Sequence, residues 1–235
     1  MGSLVRVLPA LVAAISCFTA LAIDIPDLRY LRAYTDYDPD GPYHEFLDYS
    51  PDLSVQGMDN SIVRICLTGL WLMYSERYYN GTSAAYDGIN DCHNISSSLS
   101  MQVSSLRYPG SPYGMDDVYY TLYEGELWTG NEFKGNTNVP TVANLDMNVS
   151  SVSISGQSPW TFFTGLQYAG EAVCLYPVNI VNDNSIYLHH GGIARLAQLG
   201  LPDNSVRSVA KGCLTDNVYR GDRPHQGERG DRDGH

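Results

Sequence analysis

Positive charge is scarce in this chain. Only 14 lysines and arginines stand against 26 aspartates and glutamates, a formal net charge of −12 over 235 residues. That balance excludes nucleic acid and anionic lipid as partners held by general attraction, and it favours solubility and the attraction of cations. Beyond residue 22 no apolar run is long enough to cross a bilayer as a helix, so no membrane span is expected. The motifs of common enzymes are missing as well. There is no nucleophile elbow, no glycine-rich phosphate loop and no His-Glu-x-x-His. The histidines (His44, His93, His189, His190, His225 and His235) form no constellation, and His189-His190 beside Gly191-Gly192 reads as a surface loop. Cysteines occur neither as Cys-x-x-Cys nor in paired Cys/His spacing, which excludes the usual zinc sites. A non-catalytic protein is expected.

What is present first concerns the compartment. Leu4 to Ala22 is short and apolar, is led by Arg6, and ends Ala20-Leu21-Ala22, a small-x-small cleavage pattern. Residues 1–22 are therefore expected to be a secretory signal peptide and the protein to be extracellular. Cys17 leaves with that segment. Cys66, Cys92, Cys174 and Cys213 remain, an even number that fits disulfides in an oxidising compartment. Three pairings are possible. Cys66–Cys92 with Cys174–Cys213 is favoured because each bond closes within one half of the chain, at about 2–4 kcal/mol each. Three N-glycosylation sequons follow, at Asn80, Asn94 and Asn148.

An internal repeat organises the rest. An aromatic residue, six others and a glycine recur as Tyr34/Gly41, Tyr74/Gly81, Tyr123/Gly130 and Phe163/Gly170. The first two pairs recur as the last two, 89 positions on (34 to 123, 74 to 163), and Trp71 and Trp160 obey the same offset. The chain is thus four units of about forty residues in two similar pairs. Each unit opens with a strand-forming run such as Tyr119-Tyr120-Thr121-Leu122-Tyr123. A turn, the glycine and a second strand follow, and the unit closes on a serine with alternating residues. Four short strands per unit and two units per domain predict an all-β fold of two Greek-key sandwiches, over residues 27–110 and 115–213. Residues 109–114 read as the linker and 214–235, almost free of apolar residues, as a disordered tail.

These features resemble the βγ-crystallin family over roughly residues 29–213. The likeness rests on aromatic-x6-Gly, the later strand serine, and the alternation of units without and with the early tryptophan. It implies calcium as a cofactor, bound weakly through a stretch of two Asn/Asp residues, two variable residues, Ser/Thr and Ser. Aligned on Ser61, Ser105, Ser151 and Ser205, the windows span residues 56–61, 100–105, 146–151 and 200–205. The fifth-position hydroxyl survives as Ser104 and Ser150, and the first-position acid as Asp146. The second position is Gly57, Met101, Met147 or Leu201. Asp146, Ser150 and Ser104 are the candidate ligands, with a glycan on Asn148 crowding them.

The expected role is a structural component of the extracellular matrix. One alternative is a secreted defence protein, a protease inhibitor or toxin-like, acting through the insertion at 178–192. Another is integrin-binding adhesion through the tail tripeptides Arg220-Gly221-Asp222 and Arg229-Gly230-Asp231.

Overall fold

The aromatic-rich runs do form strands, and the chain's glycines and serines decide where those strands turn. The protein is seen in a computed structural model that describes residues 28–183 and 185–220. The expected signal peptide lies outside these residues. So do both Arg-Gly-Asp tripeptides, apart from Arg220.

In the first half, β1 (Tyr30–Tyr34) lies between β2 (Tyr43–Phe46) and β3 (Arg64–Glu76), all antiparallel. β3 forms a long hairpin with β4 (Asn80–Asn94), and β5 (Ser105–Arg107) pairs with its far end. β3 serves two layers. Residues from Arg64 to Thr68 pair with β1, residues from Leu72 to Tyr74 pair with β5, and the register slips between Leu67 and Gly69. At that corner Gly69 has φ +105°, where a Cβ would stand 2.9 Å from Cγ of Arg29. Only glycine accommodates both demands. One continuous strand is therefore the last strand of unit one and the first of unit two.

In the second half, β6 (Tyr119–Tyr123), β7 (Glu132–Gly135), β8 (Ser151–Ser155), β11 (Asn179–Asp183) and β12 (Ile186–Ile193) share one sheet, in the order β11-β12-β8-β6-β7. The facing sheet runs β13 (Ser208–Lys211), β9 (Trp160–Phe163), β10 (Ala172–Leu175), β14 (Val218–Tyr219). The third strand of each unit crosses to its partner's sheet. β12 of unit four pairs with β8 of unit three, and Val139 of unit three bridges Val209 of unit four. This exchange makes the expected Greek-key sandwiches.

The strand serine ties each unit to its own turn. Ser105, Ser151 and Ser208 donate to the carbonyls of Glu76, Gly125 and Gly165 at 2.6, 2.6 and 2.7 Å. Each also accepts the amide of Tyr79, Trp128 or Tyr168 at 3.0 Å. Those turns contain paired left-handed residues: Tyr78-Tyr79, Leu127-Trp128 and Gln167-Tyr168. In unit one Arg64 stands at the serine's place and donates to Tyr37 O instead.

Two large apolar cores result, with a small third cluster of Leu72, Tyr74 and Tyr123 between the halves. One gathers Leu31, Ile65, Trp71, Leu106 and their neighbours; the other gathers Tyr120, Val152, Trp160, Phe162 and theirs. Trp71 and Trp160 are fully buried, and each meets a tyrosine edge-on, Tyr108 at 5.5 Å and Tyr120 at 4.8 Å. Cys66, in β3, is bonded to its cross-strand partner Cys92, and Cys174, in β10, to Cys213.

The halves are joined through polar groups buried between them. Arg107, 1% exposed, donates to Tyr74 Oη, Gly130 O and Trp128 O at 3.0, 3.0 and 2.7 Å. Its guanidinium also lies over the rings of Tyr74, Tyr79 and Tyr123, at 5.3, 4.4 and 4.8 Å. Glu132 sits 3.5 Å from Arg107, accepts from Tyr49 Oη at 2.8 Å, and is flanked by Lys134 at 3.2 Å. Of the expected linker 109–114, residues 109–111 are buried, while 112 and 113 are exposed. Past Cys213, Val218 and Tyr219 add to β10 as a parallel strand. Backbone pairing there outweighs the polar composition that marked a tail from residue 214.

Arg107→Ala removes three buried hydrogen bonds and the guanidinium beside Glu132, leaving that carboxylate only Lys134 and Tyr49. Its expected cost is about 3–5 kcal/mol in denaturant unfolding. Arg32→Ala, at an ion pair with Glu45 on the surface, should cost under about 1 kcal/mol. Equal costs would place the lock elsewhere. Burial also raises the phenols of this interface, Tyr79 to about 12 and Tyr74 and Tyr123 further. A raised phenol stabilises the fold fully below its unfolded value of about 10, and that contribution is lost as pH rises through the folded value. Tyrosinate absorbance should therefore rise in two steps. The later step, above about pH 12, should coincide with loss of structure. A single step near 10 would contradict the buried cluster.

Candidate functional site

The candidate cation loops precede the last strand of each unit. Their backbone shows which residues correspond. Val63 N, Ser104 N, Ser150 N and Arg207 N donate to the carbonyls of the four corner aromatics, Tyr34, Tyr74, Tyr123 and Phe163, at 3.0, 2.8, 2.9 and 2.8 Å. Three residues before each lies a left-handed residue: Asn60 (φ 52°), Met101 (57°), Met147 (59°) and Asn204 (60°). The second and third windows therefore stand as aligned. The first and fourth begin three residues later, as Asp59-Asn60-Ser61-Ile62-Val63-Arg64 and Asp203-Asn204-Ser205-Val206-Arg207-Ser208. Ser61 is not the strand serine: its hydroxyl serves a local turn, donating to Met58 O at 2.8 Å. In unit four the serine that ties strand to turn is Ser208.

In this register units one and four carry the acid and the amide (Asp59-Asn60, Asp203-Asn204) but lack the hydroxyl. Units two and three carry the hydroxyl (Ser104, Ser150) with a methionine at the left-handed position. Within each domain the two loops lie side by side. Asn60 N donates to Val103 O at 2.9 Å, and Asn204 N to Val149 O at 3.0 Å. Each loop pair thus brings the acid of one unit toward the hydroxyl position of the other.

In the second domain that place is filled by a cation of the protein's own. Arg207 Nε and Nη2 donate to the two carboxylate oxygens of Asp146 at 2.8 and 2.7 Å, which holds the Asp146 carboxyl below the usual carboxylate range. Ser150 Oγ donates to Asn204 Oδ1 at 3.3 Å. A metal ion at Asp146 would face a guanidinium, so these residues do not fit calcium. The first domain differs. Asp59 Oδ1 is buried with no hydrogen-bond partner, and Oδ2 lies 3.6 Å from Arg77, which also reaches Asp52 at 3.2 Å. An orphaned carboxylate oxygen beside the Ser104 loop suits a hard cation. Among the described residues no three His, Cys, Asp or Glu side chains converge.

The sequons differ in setting. Asn80, at the tip of the β3–β4 hairpin, and Asn94, at the end of β4, are exposed. Asn148 is half-buried and donates its side-chain amide to Glu124 Oε1 at 3.0 Å. The insertion expected as a reactive loop is the hairpin of β11 and β12, joined by β12 to β8. His189 and His190 belong to β12, not to a loop. His190 is 5% exposed and reaches Asp87 of the first half at 3.3 Å, while His189 binds Asp116 at 3.0 Å. The alternation of apolar and polar residues from Ile186 onward was the available sign of that strand. Arg107, Glu132 and Tyr49 carried no comparable sign, because they meet across 83 positions or fewer of unrelated sequence, as Tyr49 and Glu132 do.

No family model matches this sequence, and no curated protein matches it. Solved structures do. Geodin, a βγ-crystallin from Geodia cydonium, is 18% identical, covers 78% of this chain and 98% of its own, and superposes with a TM-score of 0.57. A βγ-crystallin from an archaeon is 24% identical over 40% of this chain and 96% of its own, with a TM-score of 0.33. One from Ciona intestinalis is 21% identical over 40% of this chain and 98% of its own, with a TM-score of 0.32. The Geodin likeness and the topology agree: this chain has the βγ-crystallin fold.

Met101 and Met147 hold left-handed angles that asparagine adopts more readily, and their side chains, 61% and 63% exposed, pack on little. Met101→Asn and Met147→Asn should each stabilise the protein by about 1 kcal/mol in chemical denaturation. Destabilisation by both would contradict the loop register.

Proposed function

We propose that this protein is a secreted, non-catalytic scaffold of the extracellular matrix, with one weak calcium site in its first domain. The observation that carries this reading is the Arg107 lock. The chain buries charge to hold two disulfide-bonded sandwiches together, an arrangement suited to rigidity and persistence rather than to turnover. The disulfides Cys66–Cys92 and Cys174–Cys213 favour an oxidising compartment.

Asp59 and Ser104, with nearby backbone carbonyls, would hold the ion. Calcium would supply a bridge between units one and two that Arg207 and Asp146 already supply between units three and four. The position of Arg77 beside Asp59 keeps affinity low, on the order of 10⁻⁴–10⁻³ M as in extracellular modules.

Expressed in a secreting eukaryotic cell, the full chain should appear in the medium without residues 1–22. Thiol titration of the denatured, unreduced protein should find no free thiols. Retention inside the cell with two or more reactive thiols would defeat the reading. Cell attachment to the immobilised protein should not change when residues 221–235 are removed; a loss would favour integrin adhesion instead. In calorimetry, calcium heat should vanish in Asp59→Ala and persist in Asp146→Ala. The opposite pattern would return the site to the second domain.

A further inference from the structure

The hairpin that joins β3 to β4 ends in Arg77-Tyr78-Tyr79-Asn80-Gly81-Thr82, and its two tyrosines differ in setting, Tyr78 exposed and Tyr79 half-buried. Tyr79 is anchored. Its ring meets Tyr74 at 5.8 Å and Tyr49 at 5.9 Å, and its carbonyl accepts the amide of Gly130 from the other half at 2.9 Å. Tyr78 is tied through its backbone, the amide donating to Pro51 O at 2.8 Å, and it is 66% exposed. Beside it a groove of about 320 Å³ runs between the halves, lined by Tyr78 and Asn80 on one side and by Glu124, Gly125, Thr129 and Asn131 on the other. Its walls are polar. Glu124 Oε2 accepts Asn131 N at 3.2 Å and Asn131 Nδ2 at 2.7 Å, while Oε1 accepts Asn148 Nδ2 at 3.0 Å.

A shallow groove with carboxylate and amide walls and one free aromatic ring has the chemistry of a carbohydrate seat. Sugar hydroxyls donate to carboxylates, and the C–H face of a pyranose covers an aromatic ring. A free sugar would bind such a site weakly. Here the asparagine that lines the groove is itself the acceptor of a sequon, Asn80-Gly81-Thr82. A tether raises the local concentration of the sugar to the millimolar range, enough to make weak contacts persist.

We propose that Asn80 carries an N-linked glycan whose inner N-acetylglucosamine lies in this interdomain groove against Tyr78. The proposal rests on the secretion reading above. In the transfer, Asn80 Nδ2 forms a bond to the anomeric carbon of a lipid-linked oligosaccharide pyrophosphate. The C1–O bond breaks, the lipid pyrophosphate leaves with the electron pair, and the amide loses one proton. The remaining N–H can keep its bond to Tyr78 O, at 3.3 Å in the bare protein. Asn148 stays bare, because its amide holds a wall of the same groove. The glycan then covers the seam that Arg107 locks from within.

The test uses the full chain secreted from mammalian cells, with peptide mapping of Asn80, Asn94 and Asn148 and hydrogen exchange before and after enzymatic removal of the glycans. Asn80 should be occupied and Asn148 vacant. Glycan removal should speed exchange of residues 124–131 at least about threefold. Tyr78→Ala, which keeps the sequon, should reproduce that increase with the glycan still attached. Thr82→Ala, which abolishes the sequon, should match the deglycosylated protein. The proposal is overturned if Asn94 is occupied and Asn80 is not, or if Asn80 is occupied and exchange at 124–131 ignores the glycan. If the chain is secreted with neither Asn80 nor Asn94 occupied, the proposal falls and the secretion reading stands. If the chain stays in the cytosol unglycosylated, both fall.

Discussion

One buried guanidinium organises this molecule. Arg107 is the last residue of β5, so it belongs to the first sandwich, yet two of its three hydrogen-bond acceptors are carbonyls of the second. Burying an arginine is costly unless every donor and the charge itself are met. Here carbonyls, a phenol and three aromatic faces meet it, and Glu132 supplies the counter-charge. The turn that presents Gly130 O and Trp128 O needs its left-handed pair Leu127-Trp128, and Ser151 holds that pair in place. The repeat's local rules therefore serve a long-range purpose. In units two, three and four the strand serine holds its turn, and two of those turns become the walls of the interface.

The four units share a backbone but have diverged in what they do with it. Unit two lends its turn to the interface and to the Asn80 groove. Unit three receives Arg107. Unit four places Arg207 against Asp146 and so closes its loop pair with an internal ion pair. Unit one keeps an unpartnered Asp59 oxygen, the most cation-ready atom among the described loops. No unit carries the acid, the amide and the hydroxyl of a full binding stretch together: units one and four lack the hydroxyl, and unit three has Asp146 and Ser150 but Met147 at the second position.

The fold was legible because its signals are local and repeated. Tyr34, Tyr74, Tyr123 and Phe163 announce corners, and their glycines announce turns, without any long-range knowledge. Register was less legible. Ser61 and Ser205 are strand-flanking serines by spacing, but the residue that matters is the one reaching its own turn, and hydroxyl direction is not written in sequence. The strand at Val218–Tyr219 was hidden by the polar residues around it, since backbone pairing there asks little of side chains. The interface was hidden most deeply. Tyr49, Arg107 and Glu132 are ordinary residues one at a time, and only the folded seam makes them a cluster.

A seam of this kind makes the two sandwiches one cooperative body, where two-domain proteins commonly unfold in steps. Differential scanning calorimetry of the oxidised, full-length protein measures this most directly. The account predicts a single transition with equal calorimetric and van't Hoff enthalpies, and two resolved transitions in Arg107→Ala. Two transitions already present in the unaltered protein would contradict it.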